Sequence, residues 1–264
     1  MTDTTILTEV DDLGRATITL NRPELHNAFD DILMANLVEC LKGFDRDDDI
    51  RVVTLAATGR SFSSGADLNW MRRMAEFSFE ENLADAMGVA ELMKTLANLS
   101  KPTIALVQGA AIGGGVGLVA CCDIALATEK ACFCLSEVKL GLVPAVISPY
   151  VAAAIGARAT RRYFLTAERF DASEAFRLGL VHEVLPDEQA LSRRGEALSR
   201  LLLQNSPKAM AAAKELVAEV AHAWLDDDLI ADTAERIAEI RASAEGREGL
   251  SAFLEKRRPA WVRG

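Results

Sequence analysis

The sequence predicts one α/β domain of stacked strand–strand–helix units with a helical C-terminal part. Short apolar strand-like runs followed by helical periodicity recur along the first half of the chain. Two of those runs lead into glycine-bearing turns, Ser63-Ser64-Gly65-Ala66-Asp67-Leu68 and the stretch from Gly109 to Gly115, and helices follow them. Past Pro149 the pattern turns mostly helical. The recurrence is one of element type rather than of sequence, and it favours a ββα stack over a simple doubly wound sheet.

Ile6 to Val10 and Ala16 to Leu20 read as strands joined by the turn Asp11-Asp12-Leu13-Gly14. From Phe29 to Phe44, apolar residues at 29, 33, 37, 41 and 44 recur at helical steps. Val52 to Ala56 reads as a buried strand, and a helix begins near Asp67. Glu80 to Leu99 is helical, with Pro102 as its breaker. Ile104 to Val107 is strand, and a helix starts in the glycine run and continues to about Cys122. Ile124 to Ala127 and Ala131 to Leu135 are two more strands. Ser206-Pro207 opens a helix through Ala221, with proline in the first turn. Asp232 to Arg241 and Gly249 to Arg257 are further helical segments.

Half of the 264 residues are hydrophobic, enough for one large core, and no Gly-, Ser- or Pro-rich linker marks a second domain. The net charge of −10 argues against nucleic acid as a partner, since phosphate backbones select basic surfaces. The five cysteines show no CxxC spacing and read as free thiols in a reducing compartment. Met1 to Thr5 has neither a basic region nor a long apolar stretch, and no run suits a membrane span; a soluble cytoplasmic protein is expected. His26, His182 and His222 are scattered without metal-ligand spacing, so no metal is expected. Neither the GxGxxG fingerprint nor the GxxxxGK[ST] loop stands at the glycine turns.

A strand–turn–helix passage leaves main-chain N–H groups unpaired. Two such turns facing each other form an oxyanion hole when their donors converge on one carbonyl oxygen. Ala66 and Gly114 are the candidate donors; the plainer reading of both turns is structural. Glu137 is the candidate acid. It lies between an alternating strand and the apolar stretch Leu140 to Pro144, surroundings that raise a carboxyl pKa toward neutrality. The plainer reading is an exposed glutamate, or one paired with Lys139.

Taken together, these segments resemble the enoyl-CoA hydratase/isomerase (crotonase) family. The resemblance rests on Asn21-Arg22-Pro23 with Asn27-Ala28, Phe62 to Leu68, Lys101-Pro102 with the Gly109 to Gly115 run, and Cys122-Asp123-Ile124. Ser136 to Gly141, Gly179-Leu180-Val181 and Phe253 to Arg257 complete it. It implies a crotonase-like ββα spiral over 1–200 holding an acyl-CoA site, and a helical trimerisation region over 201–264, as one continuous family domain. Trimers, or hexamers made of two trimers, are implied, with no cofactor beyond the coenzyme A of the substrate. By position, the Ala66 and Gly114 amides would hold the thioester oxygen. Ala66, Asp67, Leu68 and Asn69 would lie along coenzyme A, with Arg22 and Lys256 as candidates for its phosphates, the latter from a neighbouring subunit. Glu137 matches the second of two catalytic glutamates, whereas the first falls on Gly117, twenty residues earlier. The stretch from Gly141 to Tyr150 is similar to a branch acting on 3-methylglutaconyl-CoA and isohexenylglutaconyl-CoA, whose distal carboxylate makes Arg72 and Arg73 candidate partners. The expectation is hydration of a branched, carboxylated enoyl-CoA. The alternatives are Δ3,Δ2-enoyl-CoA isomerisation by one glutamate and non-catalytic binding.

Overall fold

The structure, a computed structural model, describes residues 5–221 and 223–263. The expectation of no leader falls largely on residues 1–4, and that for the third histidine on His222; these lie outside the described residues. β1 (Ile6–Val10) and β2 (Arg15–Leu20) form the expected hairpin, its turn closed by the Asp11 carboxylate accepting from the Leu13 and Arg15 amides. α1 (Asp31–Arg46) buries Leu33, Met34, Leu37 and Leu41. The apolar period starts at Phe29, yet the helix starts two residues later: Phe29 bridges to Ala66 in extended pairing, and Asp30 takes the cap.

Three units follow, each giving one strand to each of two sheets. β3 (Val52–Ala57) and β4 (Ser61–Ser63) precede α2 (Leu68–Met74) and α3 (Phe79–Ala97). β5 (Thr103–Val107) and β6 (Ala110–Ile112) precede α4 (Gly114–Cys121). β7 (Ile124–Thr128) and β8 (Cys132–Cys134) precede a 3-10 turn at Glu137–Leu140 and then α5 (Ser148–Thr166). β9 (Phe170–Asp171), α6 (Ala172–Leu178), β10 (Glu183–Leu185) and α7 (Glu188–Leu202) close the spiral. The larger sheet runs β1-β2-β3-β5-β7-β10, parallel beyond the hairpin. The smaller runs β4-β6-β8-β9, parallel except at β9.

Three expectations change. The helix placed from the glycine run onward starts only at Gly114, because Ala110–Ile112 pair with β4 and β8. α3 ends at Ala97 with Asn98 as its cap, before Pro102. The region after Pro149 also supplies β9 and β10, too short to show a period of two.

The larger sheet is covered on both faces, which explains its nearly continuous apolar strands. One face meets the helices α1, α3 and α4 in the main core; on the other, Val52, Ile104 and Leu126 cluster with Leu191 of α7. α8 (Pro207–Val220), α9 (Asp227–Ala242) and α10 (Ala244–Leu254) complete the chain. The Asp226-Asp227-Asp228 run opens α9, with Asp226 accepting from the Leu229 amide. Buried Arg51 ties this region to the core, donating to the carbonyls of Trp261 and Asn205 at 3.0 and 2.9 Å. α8 and α9 bury no side chain in the single chain, and Trp224 and Leu225 stand 88% and 82% exposed. The five cysteines are free. Among the described residues no helix is long and apolar enough to cross a membrane.

Candidate active site

The first turn is zipped to the segment before α1. The Phe29 amide donates to Gly65 O and the Asp67 amide to Phe29 O, both at 2.7 Å. In parallel pairing this directs the intervening Ala66 amide away from Phe29. Among the described residues it donates to nothing. Below the turn, fully buried Asn27 accepts from the Arg22 amide and donates to the carbonyls of Thr58 and Ser61. Ser63 Oγ donates to Asn27 O at 2.9 Å. Gly65 has φ +85°, and a Cβ there would stand 3.0 Å from Ile112 O, so glycine serves both the turn and its contact with the second turn. Asp67 caps α2, accepting from the Asn69 and Trp70 amides.

The second turn is made by β6 ending and α4 beginning. The Gly113 amide donates to Cys134 O at 2.8 Å, while the Gly114 amide, at the first helical position, has no acceptor among the described residues. A Cβ on Gly115 would meet Ser63 O at 2.8 Å, and one on Gly114 the Phe29 ring at 2.7 Å. The two turns are therefore in direct contact, with Phe29 between their main chains. In sequence Phe29, an apolar residue right after Asn27-Ala28, merges with the period of α1 and does not stand out; its place between the two turns shows only in the fold.

Glu137 reaches the same place from the 3-10 turn after β8. Its Oε1 lies 3.0 Å from where a Gly113 Cβ would be, and its Oε2 is buried with no hydrogen-bond partner. It forms no ion pair with Lys139 among the described residues. Burial raises its pKa above the ordinary carboxylate value, its own amide pulling weakly the other way. A desolvated carboxyl with an unused oxygen, beside two turns with unused amides, suits proton transfer next to a carbonyl whose oxygen gains charge.

The other candidates are distributed unevenly. Leu68 and Asn69 are exposed at the start of α2. Arg22 lies beside the Ala66 turn, its guanidinium held by Asp30 at 2.7 Å and Asp67 at 3.5 Å, and donates to Ala28 O at 3.0 Å. Two carboxylates already balance that cation. Arg73 pairs with Asp31 at 2.6 Å, whereas Arg72 donates to Asn69 Oδ1 and has no carboxylate partner among the described residues. Lys256 is exposed beyond α10, an element that packs on α8 and α9 rather than on the two turns. Gly117 is buried within α4 and faces Ile147.

A two-sheet ββα spiral whose parallel strands end in paired glycine turns is a crotonase fold. A crystallographic enoyl-CoA hydratase from Shewanella pealeana superposes with a TM-score of 0.95 at 48% identity, over 98% of this chain and 97% of that one. The enoyl-CoA hydratase/isomerase family model matches residues 13–264, and the chain belongs to that family. Relatives include the 2,3-dehydroadipyl-CoA hydratase of Escherichia coli, 33% identical over 92% of both chains. They also include its 1,2-epoxyphenylacetyl-CoA isomerase, 35% identical over 94% of this chain and 95% of that one.

Proposed function

We propose that this protein adds water across the α,β double bond of a branched, carboxylated enoyl-CoA of the 3-methylglutaconyl or isohexenylglutaconyl type. The observation that carries the reading is the unpartnered, buried Glu137 Oε2 beside the turns bearing the free Ala66 and Gly114 amides. Those amides donate hydrogen bonds to the thioester oxygen. Glu137 takes a proton from water as the water oxygen bonds to Cβ. The double-bond electrons move toward the thioester oxygen, giving an enolate held by the two amides. Glu137 then returns the proton to Cα, so that one water is added overall. Loss of one such donor typically costs ~10²–10³ in rate.

Coenzyme A enters as part of the substrate and runs along Ala66, Asp67, Leu68 and Asn69. Arg22, balanced by Asp30 and Asp67, shapes this turn and offers its remaining donors. Arg72 is the better-placed cation for a distal carboxylate, since Arg73 is already paired. The relative named for 2,3-dehydroadipyl-CoA supports a carboxylated acyl chain. The chain works as a trimer or hexamer in the cytoplasm, with Lys256 of α10's end meeting the coenzyme A phosphates bound to a neighbouring copy. The single chain exposes 14638 Å², against roughly 11,000 Å² expected from area–mass scaling for a compact monomer.

The second reading, double-bond migration between the Δ3 and Δ2 positions, is favoured by glycine at position 117, because isomerisation needs only one mobile base. A panel of short, branched and carboxylated enoyl-CoA esters, followed by absorbance and mass, separates the two. A mass gain of one water on the 3-methylglutaconyl ester supports hydration; migration without mass change supports isomerisation. Binding without turnover of any ester refutes both.

A further inference from the structure

Position 117 is closed to side chains. Gly117 lies on α4 four residues beyond Gly113, and helical side chains lean toward the N-terminus, so a chain at 117 would point back to the turn that Glu137 touches. A Cβ there would stand 3.0 Å from Ile147 Cβ and 3.1 Å from Met93 Cε, and closer still to Ile147 Cγ2. Ile147 is buried where the chain enters α5, and Met93 is buried on α3. Three elements thus meet at the missing side chain. Glycine inside a helix is unfavourable relative to alanine, so its presence needs a reason. Ile147, which occupies the space, supplies one.

We propose that Ile147 determines how many carboxyl groups this site holds: by filling the volume beside Gly117 it excludes a second one and leaves Glu137 to take and return the proton alone. This deepens the single-glutamate reading above and rests on it. The two residues form a matched pair, neither free to change without the other. Ile147 sits in the Gly141 to Tyr150 stretch.

The test has two parts. The first is thermal unfolding of Gly117→Ala, Ile147→Ala and the double variant. Gly117→Ala is expected to lower Tm despite its better helix propensity. In the Ile147→Ala background the same change is expected to raise Tm, because the new methyl enters vacated space. Additive shifts in the two backgrounds overturn the pairing. The second part compares Gly117→Glu with Gly117→Glu/Ile147→Ala on the best enoyl-CoA ester. The single variant is expected to lose hydration. The double variant is expected to regain it by roughly tenfold or more and to acquire a descending limb at high pH, from a second carboxyl acting as acid. Equal activity of the two, or an unchanged profile, overturns the proposal. Absence of any wild-type turnover strikes the functional reading instead, while the Tm comparison still decides the pairing.

Discussion

At the residue scale, burial of Glu137 against Gly113 raises its pKa, so the folded chain keeps a proton that the unfolded chain releases just above the ordinary glutamate value of 4.5. Stability attributable to this group falls as pH rises from there through the raised folded pKa, and the penalty persists above it. Glu137→Gln removes the penalty. The variant's Tm is expected to exceed the wild-type value at pH 8 and to match it near pH 4, as differential scanning calorimetry would show. Its turnover is expected to fall by roughly 10²–10⁴. Wild-type kcat/KM is expected to climb with pH through the raised pKa, because a carboxyl proposed to take a proton from water must first be ionised; a flat profile counts against the assignment. In sequence, Glu137 stood out as a candidate by its place between an alternating strand and an apolar stretch together with the family resemblance, beside the plainer reading of an exposed glutamate. What buries it was not: Gly113 is distant in sequence and meets Glu137 only because β6 and β8 are neighbours. Arg22 shows the same limit. A lone cation in sequence becomes, once folded, a guanidinium shared by Asp30 and Asp67.

At the element scale, the site depends on two short parallel strands and the segment that braces them. Asn27 is the brace, in left-handed conformation with φ +53°, fully buried and joined to Arg22, Thr58 and Ser61. Asn27→Ala strips the Arg22 amide and the Thr58 carbonyl of this partner, costing about 2–4 kcal/mol in stability. Denaturant titration measures the loss, and a drop in kcat is expected from the displaced Ala66 turn. Unchanged stability contradicts the bracing role. The longer elements were legible because α1, α3 and the strands β1, β2, β3, β5 and β7 carry enough apolar positions to mark them. β4 and β6 span three residues each, β9 two. No alternation is visible at that length, and hydrogen bonding to sequence-distant neighbours is what makes them strands.

At the scale of the whole molecule, α8 and α9 bury no side chain in one chain, while α10 packs on both and buries Ala252. Phe253 and Leu254 are 80% and 77% exposed, and Trp224 and Leu225, earlier in the same C-terminal region, 88% and 82%. Burial between copies removes such surface from water, and a contact driven that way persists when salt screens charges. Sedimentation velocity is expected to show an oligomer at both low and high ionic strength, and Phe253→Asp/Leu254→Asp is expected to release monomers. An oligomer unaffected by both substitutions places the interface elsewhere. By itself, the order of apolar periods, turn residues and glycine-bearing segments determined the ββα class and the two turns, and marked Glu137 as a candidate, because local propensity and motif spacing are written along one dimension. Only the tertiary structure decided that Ala66 and Gly114 keep unused amides, that Ile147 fills the place beside Gly117, and that Arg22 is already balanced. Each of these depends on which remote atoms occupy the neighbouring space, and that is set by packing in three dimensions.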